Sequence, residues 1–495
     1  MYVHNFELSQ SSIIELIAKN TASTLSYDNT SLTLSNQTFI IDNTLNQNSI
    51  ILLSDPLINE YHTINISLLY QKGNNITIQT NKGSFILSSD LNIVSLYFNR
   101  NTIEWLKLDS NTSMFPTTQQ GSKLVGTGYV GSSYQGCSVA LSADGNTLAV
   151  GGYADNDRVG AVWIFIRNGS IWSQQGSKIC PVTPRQGMYN YVGNSVSLSA
   201  DGNTLAIGTP IGASSNNSGC TYIYIRDING MWAQQAFING MGGSKQGWSV
   251  SLSADGNTVA CGAPWYNSYY GCAFIFVRIN GVWNQQGRLT GTGGDASANQ
   301  GISISLSSDG NTLAVGGNGD NTRTGAVWIF TRIGTIWTQQ GGKLVGTVSN
   351  PNQYQGMSIS LSSDGNTLAV GGTGDNTNTG AVWIWTRTNT VWTQQQKLIG
   401  TTAANNQNQG YSVSLSADGN MVAFGGKGYN NSIGAVWIFI QINGVWTQQG
   451  NKLIGTGNSV NALQGSSIAL SSNGNTLAIG GIGDNGSTGA TWIFT

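Results

Sequence analysis

Short bursts of alternating apolar and polar residues fill the chain from residue 117 onward, and they recur in a fixed order. Each recurrence opens with a stretch whose consensus is SVSLSADGNTLAVGG. Its turn falls at Asp144, Asp201, Asp255, Asp309, Asp364, Asp418 and, with asparagine for aspartate, Asn473, so the units lie 54 to 57 residues apart. A period of that size signals a repeated supersecondary unit. Within a unit, GxSVSLS alternates with period two and runs into Asp-Gly, which predicts a strand and a tight hairpin. NTLAVGG predicts a second strand. A polar loop, often GDNxxxG, leads to a more apolar third strand such as GAVWIF at 325–330. A second turn follows, read as Asn-Gly at Asn168-Gly169, Asn229-Gly230, Asn280-Gly281 and Asn443-Gly444. The fourth strand is WxQQGxKLxGT, as at 446–456. Four antiparallel strands per unit predict an all-β, seven-bladed β-propeller with four-stranded blades.

The two ends of the array support the same reading. The last unit stops after its third strand at Thr495, and a matching fourth strand, TTQQGSKLVGT, stands at 117–127 ahead of the first complete unit. Pairing these segments closes the ring and leaves no free sheet edge. Residues 1–112 lack the repeat. Their alternating segments, broken by Asn, Asp, Gly and Ser, predict a β-rich domain for attachment or assembly, followed by a linker at 113–118 and the propeller at 119–495. Hairpins are expected at Asn81-Lys82-Gly83 and Asn99-Arg100-Asn101, while SSIIELIAKN at 11–20 has the alternative of a short helix. The final hairpin resembles, loosely, the β-rich modules of viral fibres.

The units QGxSVSLSxDGNTLAVGGxxxxxxGAVWIF, repeated over residues 117–495, resemble the FG-GAP repeats of integrin α-subunit-type propellers. Gly262-Ala263-Pro264 keeps the GAP of that name, whereas Gln-Gly, as at Gln300-Gly301 and Gln355-Gly356, replaces Phe-Gly. The resemblance implies a seven-bladed propeller used in adhesion or extracellular recognition. Many members bind calcium through a DxDxDGxxD loop. Here the equivalent SADGNTLAV has a single carboxylate, and calcium needs six to eight oxygen ligands. No metal and no cofactor is therefore expected, and Asp at the turn is attributed to its tolerance of positive φ.

Composition narrows the function. Charged residues make up 9% of the chain and the net charge is −1, so no field favours nucleic acid or an anionic membrane. There are 66 glycines and only 7 prolines. Of the five cysteines, Cys220, Cys261 and Cys272 stand where other units have Ala or Val and read as small buried residues, while Cys137 and Cys180 complete a set with no disulfide or zinc spacing. No signal peptide and no run of about 20 apolar residues is visible. The two histidines, His4 and His62, both precede the repeats and read as ordinary polar side chains. No serine stands in a nucleophile elbow. Recurring aspartates such as Asp320, Asp375 and Asp484 would be spread around a ring, where a circle facing the axis would bind a cation only weakly. Catalysis by the common routes is not expected.

Recognition is expected instead, on the face that carries the GDNxxxG loops and the crossovers between blades, which are taken to vary in length and content while the opposite face holds near-invariant turns. Trp163, Trp328, Trp383, Trp437 and Trp492 recur on third strands and read as core. The departures from pattern are Trp248, and Trp265, Tyr266, Tyr269 and Tyr270 in APWYNSYYG, with Tyr189 and Tyr191 in the preceding unit. Loop aromatics in such numbers point to a glycan platform or a protein contact. The expected partner is a protein or glycan, with a virion or other extracellular surface as setting; a filament or shell subunit, self-associating through the N-terminal domain, is the alternative. Glycosylation sequons stand at Asn29, Asn36, Asn65, Asn75, Asn111, Asn168, Asn216, Asn430 and Asn485.

Overall fold

The computed structural model describes residues 115–181, 189–212, 217–347, 351–402, 404–442 and 444–495, together with the backbone of nine strands among residues 1–108. The chain divides into two compact units, Met1–Ser113 and Met114–Thr495. Met114–Thr495 is a seven-bladed β-propeller: six four-stranded antiparallel sheets and a seventh of three strands. In the first blade the strands are Ser138–Leu141, Thr147–Gly152, Ala161–Asn168 and Ile171–Gln174. The first strands of successive blades contact one another all the way round, which places them innermost.

Burial explains the composition of each strand. The second strand is buried along its whole length, because both its faces meet neighbouring blades, and small side chains such as Ala149 and Gly151 let the blades approach. The third strand is buried for its first five residues and then emerges. The fourth alternates between exposed and half-buried at the rim. Trp163, Trp328, Trp383, Trp437 and Trp492 are fully buried. Each donates its indole N–H to the crossover threonine carbonyl that leads into its blade, as Trp328 does to Thr292 at 2.8 Å. The glycine before that threonine lies against the indole, and a Cβ on Gly291 would fall 2.1 Å from the Trp328 ring. The GT of the repeat is thus a seat for the next blade's tryptophan.

The ring closes as the chain ends imply. Strands Gln464–Leu470, Leu477–Gly481 and Ala490–Phe494 form the seventh sheet. Residues 117–124 pair with its outer edge: the Gln120 amide donates to the Ile493 carbonyl at 2.7 Å, and Leu124 and Thr491 exchange bonds of 2.7 and 2.9 Å.

Inter-blade ties are polar and repeat around the circle. At the end of the first strand, the amides of Ala143, Ala200, Ala254, Ser308, Ser363, Ala417 and Ser472 each donate to the carbonyl of the next, and Ser472 donates back to Ala143, all at 2.9 to 3.0 Å. At the other end of the strand, seven serines from Ser138 to Ser467 donate to a glycine carbonyl of the neighbouring blade. The paired glutamines of the fourth strand divide their work. The first accepts from a crossover threonine amide, as Gln339 does from Thr292. The second accepts from the next blade's rim tryptophan, as Gln286 does from Trp337 at 2.9 Å.

Several local expectations are corrected. Asp144 does not adopt positive φ; the neighbouring Gly145 does, at +68°. The aspartate is there as an acceptor, taking bonds from the Ser142 hydroxyl and from the Asn146 amide and side chain. Asn473 makes the hydroxyl and amide bonds in the seventh blade without a charge. Asn280-Gly281 is the two-residue turn expected, both at positive φ between Ile279 and Val282. Asn168, by contrast, still pairs with Ile171, so that turn is Gly169-Ser170, and Asn229-Gly230 sits inside a wider loop between Arg226 and Trp232. Asn443 lies outside the described residues.

The GDNxxxG loops also prove less variable than expected. In six blades they form the same left-handed turn, with residues such as Asn156 and Asp157 at φ 49° and 54°. Asparagine tolerates that region best, which explains its abundance there. Only the second blade differs in length: ten positions separate Thr209 from Gly219, where eight separate Gly152 from Gly160. The crossover into that blade is longer as well, with thirteen positions from Ile179 to Val192 against eleven from Leu344 to Gln355.

Met1–Ser113 holds two sheets. Strands Ile14–Ile17, Gln37–Asp42 and Thr63–Tyr70 run parallel in one; Thr24–Leu25, Ser49–Leu52 and Ile76–Thr80 run parallel in the other. The chain alternates between the sheets, advancing one rung every 25 to 28 residues, a coil that the alternation pattern alone did not reveal. The two expected hairpins are present, Ile76–Thr80 with Gly83–Leu87 and Ile93–Asn99 with Glu104–Leu108. Ile14–Ile17 is a strand, not a helix. His4 and His62 lie outside the described residues.

Two outcomes follow from this packing. Trp328→Ala removes a fully buried indole and its bond to Thr292, and equilibrium unfolding should show a loss of about 3–5 kcal/mol; a change within experimental error would contradict the packing role. The second concerns acid. Burial raises the pKa of Asp144, Asp201, Asp255, Asp309 and Asp364, but the serine and asparagine hydrogen bonds and the nearby arginine outweigh it, so each carboxyl is held below its usual value. A depressed pKa adds stability that is full above the unfolded value, about 4, and lost as pH falls through the folded one. The urea midpoint should therefore hold steady from neutral pH to about 5 and drop below about 4. Asp309→Asn should flatten that drop without disrupting the fold.

Candidate functional site

Because the first strands are innermost, each end of them surrounds one opening of the axis. The turn-face opening contains a cavity of about 170 Å³, lined by Leu141, Leu198 and their repeats with the serines and alanines of the turns. Its lining carries no titratable group and is nearly the same in every blade, so it offers neither chemistry nor direction.

The opposite opening is not uniform. The position preceding the Gln-Gly pair, or Val192-Gly193 in the second blade, is held at φ between +52° and +59°, as Tyr134, Tyr191, Lys245, Asn299, Tyr354, Asn408 and Leu463. Its amide is fixed by a carbonyl of the preceding blade's left-handed loop or, in the third blade, by that of Asn217. Asparagine suits such a backbone; tyrosine, lysine and leucine occupy it at a cost of order 1 kcal/mol or more. Bulky side chains held there at a cost are candidates for function.

Three of them begin an aromatic arc over blades one to three. Tyr153 stacks between Tyr134 and Tyr191, with ring centroids 5.4 and 5.5 Å away. Burial, with the neighbouring Cys137 thiol and the Tyr134, Tyr411 and Tyr191 phenols, pushes the Tyr153 hydroxyl up to about 12, so it stays neutral. Asn194 donates its side-chain amide to the Trp248 carbonyl at 2.9 Å, which joins blade two to blade three. There Lys245 places its ammonium 3.2 Å from the Trp265 ring centroid and 5.3 Å from that of Trp248. Trp265 meets Tyr269 at 5.2 Å. Burial lowers the Lys245 pKa. Farther round, Lys427 lies 3.6 Å from the Tyr411 centroid.

Of the residues expected from sequence, Trp248, Trp265, Tyr269 and Tyr191 belong to this opening. Tyr266 turns into its blade, edge-on to Phe274 at 5.9 Å and hydrogen-bonded to Arg288. The Tyr270 hydroxyl donates to the crossover carbonyls of Gly291 and Gly294. Tyr189 is exposed beside Arg158, 5.4 Å from its ring. Sequence reading missed Lys245, Tyr134, Tyr153, Tyr411 and Lys427. Their signal was positional: Tyr134, Lys245 and Tyr411 flank Gln-Gly, and Tyr153 and Lys427 follow the second strand, where blades four and five carry Asn318 and Thr373.

The recurring aspartates do not face the axis. Asp155, Asp320, Asp375 and Asp484 are buried within their own blades and paired with Lys178, Lys343, Lys397 and Lys123. In blades three and six tyrosine takes the place of aspartate, and Arg288 and Lys452 lie over Tyr266 and Tyr429 instead. Among the described residues no group of three His, Cys, Asp or Glu side chains could hold a metal ion. Cys220, Cys261 and Cys272 are buried, and all five cysteines are free thiols. Of the sequons, Asn168, Asn430 and Asn485 are exposed, and Asn65 lies in a strand. Asn29, Asn36, Asn75, Asn111 and Asn216 fall outside the described residues. No helix among the described residues is long and apolar enough to cross a membrane.

No known protein-family model matches the chain, and no curated protein matches it in sequence.

Proposed function

We propose that this protein is a non-catalytic recognition module that presents the aromatic arc of blades one to three to a glycan or protein ligand, in the manner of the FG-GAP propellers it resembles, on a virion or other extracellular surface. The observation that carries the reading is the break in sevenfold repetition. At the Tyr153 position blades four to seven carry Asn318, Thr373, Lys427 and Ile482, and where blade three has Trp265 all four carry glycine. The same three blades contain the length changes around 180–219. Rings arranged around an opening, with Asn194 and tyrosine hydroxyls among them, match the alternating apolar and hydroxyl-bearing faces of sugars.

A second reading, assembly of copies, draws on the opposite rim. Ile171, Ile279, Val282, Ile333, Ile336 and Ile442 flank the turns between third and fourth strands and are exposed. An apolar fringe repeated around a disc is a surface that stacking would cover.

A glycan array probed with the full chain should give hits that Trp265→Ala and Tyr153→Ala abolish, with unchanged thermal midpoints. An array without hits would remove the glycan reading. Electron microscopy of the purified protein separates the alternative, since monodisperse discs contradict assembly and stacked or tubular particles support it.

A further inference from the structure

Lys245 is 8% exposed, yet its ammonium donates to no acceptor among the described residues. Lys427, half-buried, likewise lies against a ring, that of Tyr411, whereas five other lysines of the blades have acceptors. Lys123, Lys178, Lys343 and Lys397 each meet a buried aspartate, and Lys452 donates to the Thr402 hydroxyl. Among the described residues the Lys245 ammonium has the two indole faces, which attract its charge. The residue also occupies a left-handed backbone, φ +52°. Both features are natural if the ammonium, held against the rings, is kept for the acceptor of a ligand.

The chemistry of that acceptor can be narrowed. Among the described residues the site has one cation, which matches a monoanion rather than a phosphate dianion or a polysulfated chain. Arg288, the next basic group of the blade, is already engaged with Tyr266. Trp265 and the exposed ring of Tyr269 form a tilted pair beside the ammonium, a surface for the apolar face of a sugar ring. A carboxylate on that ring would then reach Lys245 with a charge-assisted hydrogen bond.

We propose that Lys245, held between Trp248 and Trp265, receives the carboxylate of an acidic sugar while Trp265 and Tyr269 stack against its ring. This rests on the glycan reading above and adds the class of sugar. Lys245→Met keeps a side chain of similar length against the indoles but removes the charge, so affinity for the acidic ligand should fall while the fold is kept.

The test measures binding of the full chain to uronic- or sialic-acid oligosaccharides and to the same oligosaccharides as neutral methyl esters. The expected result is at least tenfold weaker binding of the esters by the natural protein, no preference in Lys245→Met and partial recovery of preference in Lys245→Arg. Equal binding of acid and ester by the natural protein overturns this inference and leaves glycan recognition standing. Binding of no glycan, acidic or neutral, removes both. Polyglutamate binding without acidic-sugar binding overturns the assignment to a sugar.

Discussion

Around the axis of this propeller runs a closed circle of seven backbone hydrogen bonds, each turn amide of one blade donating to the equivalent carbonyl of the next. A circle of this kind has no end at which to fray, and it fixes the distance between neighbouring first strands. Everything farther out depends on that spacing. The serines at the other end of the same strands, the glutamine pairs of the rim and the indoles seated on crossover glycines all span blade boundaries set by it. The unusual composition follows. Contacts between blades are made by neutral hydrogen bonds and small residues, so the chain is rich in Gly, Ser, Gln and Asn and carries few charges. Four of its lysines are used in buried pairs with aspartate inside blades.

A scaffold so repetitive makes departures informative. Where Asp–Lys pairing is lost in blades three and six, a tyrosine under Arg288 or Lys452 replaces it. That exchange preserves the blade and needs no functional explanation. The arc from Tyr134 to Tyr269 is different in kind. It places large rings and one nearly buried lysine around the opening, with Tyr134, Tyr191 and Lys245 at left-handed backbone positions.

The propeller, its blade count and the shared closing blade were legible in the sequence because hairpin signals and strand alternation repeat seven times and agree. The roles of individual polar residues were not. Asp144 looked like a residue chosen for its backbone and is instead an acceptor. The loops looked variable by sequence, yet in six blades they share one left-handed turn opened by asparagine, the residue that best tolerates it. The site was half legible. Trp248 and Trp265 stand out as aromatics, whereas Lys245 is an ordinary lysine until the fold puts it between them. The coil of strands before residue 108 escaped notice because parallel pairing across about 25 residues leaves no local turn signal.

The central claim is that recognition belongs to blades one to three at one opening of the axis. Hydrogen–deuterium exchange of the full chain, alone and with a saturating mixture of acidic and neutral oligosaccharides, tests it directly. Added protection should concentrate in peptides covering 129–137, 189–194 and 244–270. Protection centred on the turns at 142–147 and their repeats, or spread evenly over all seven blades, would contradict it.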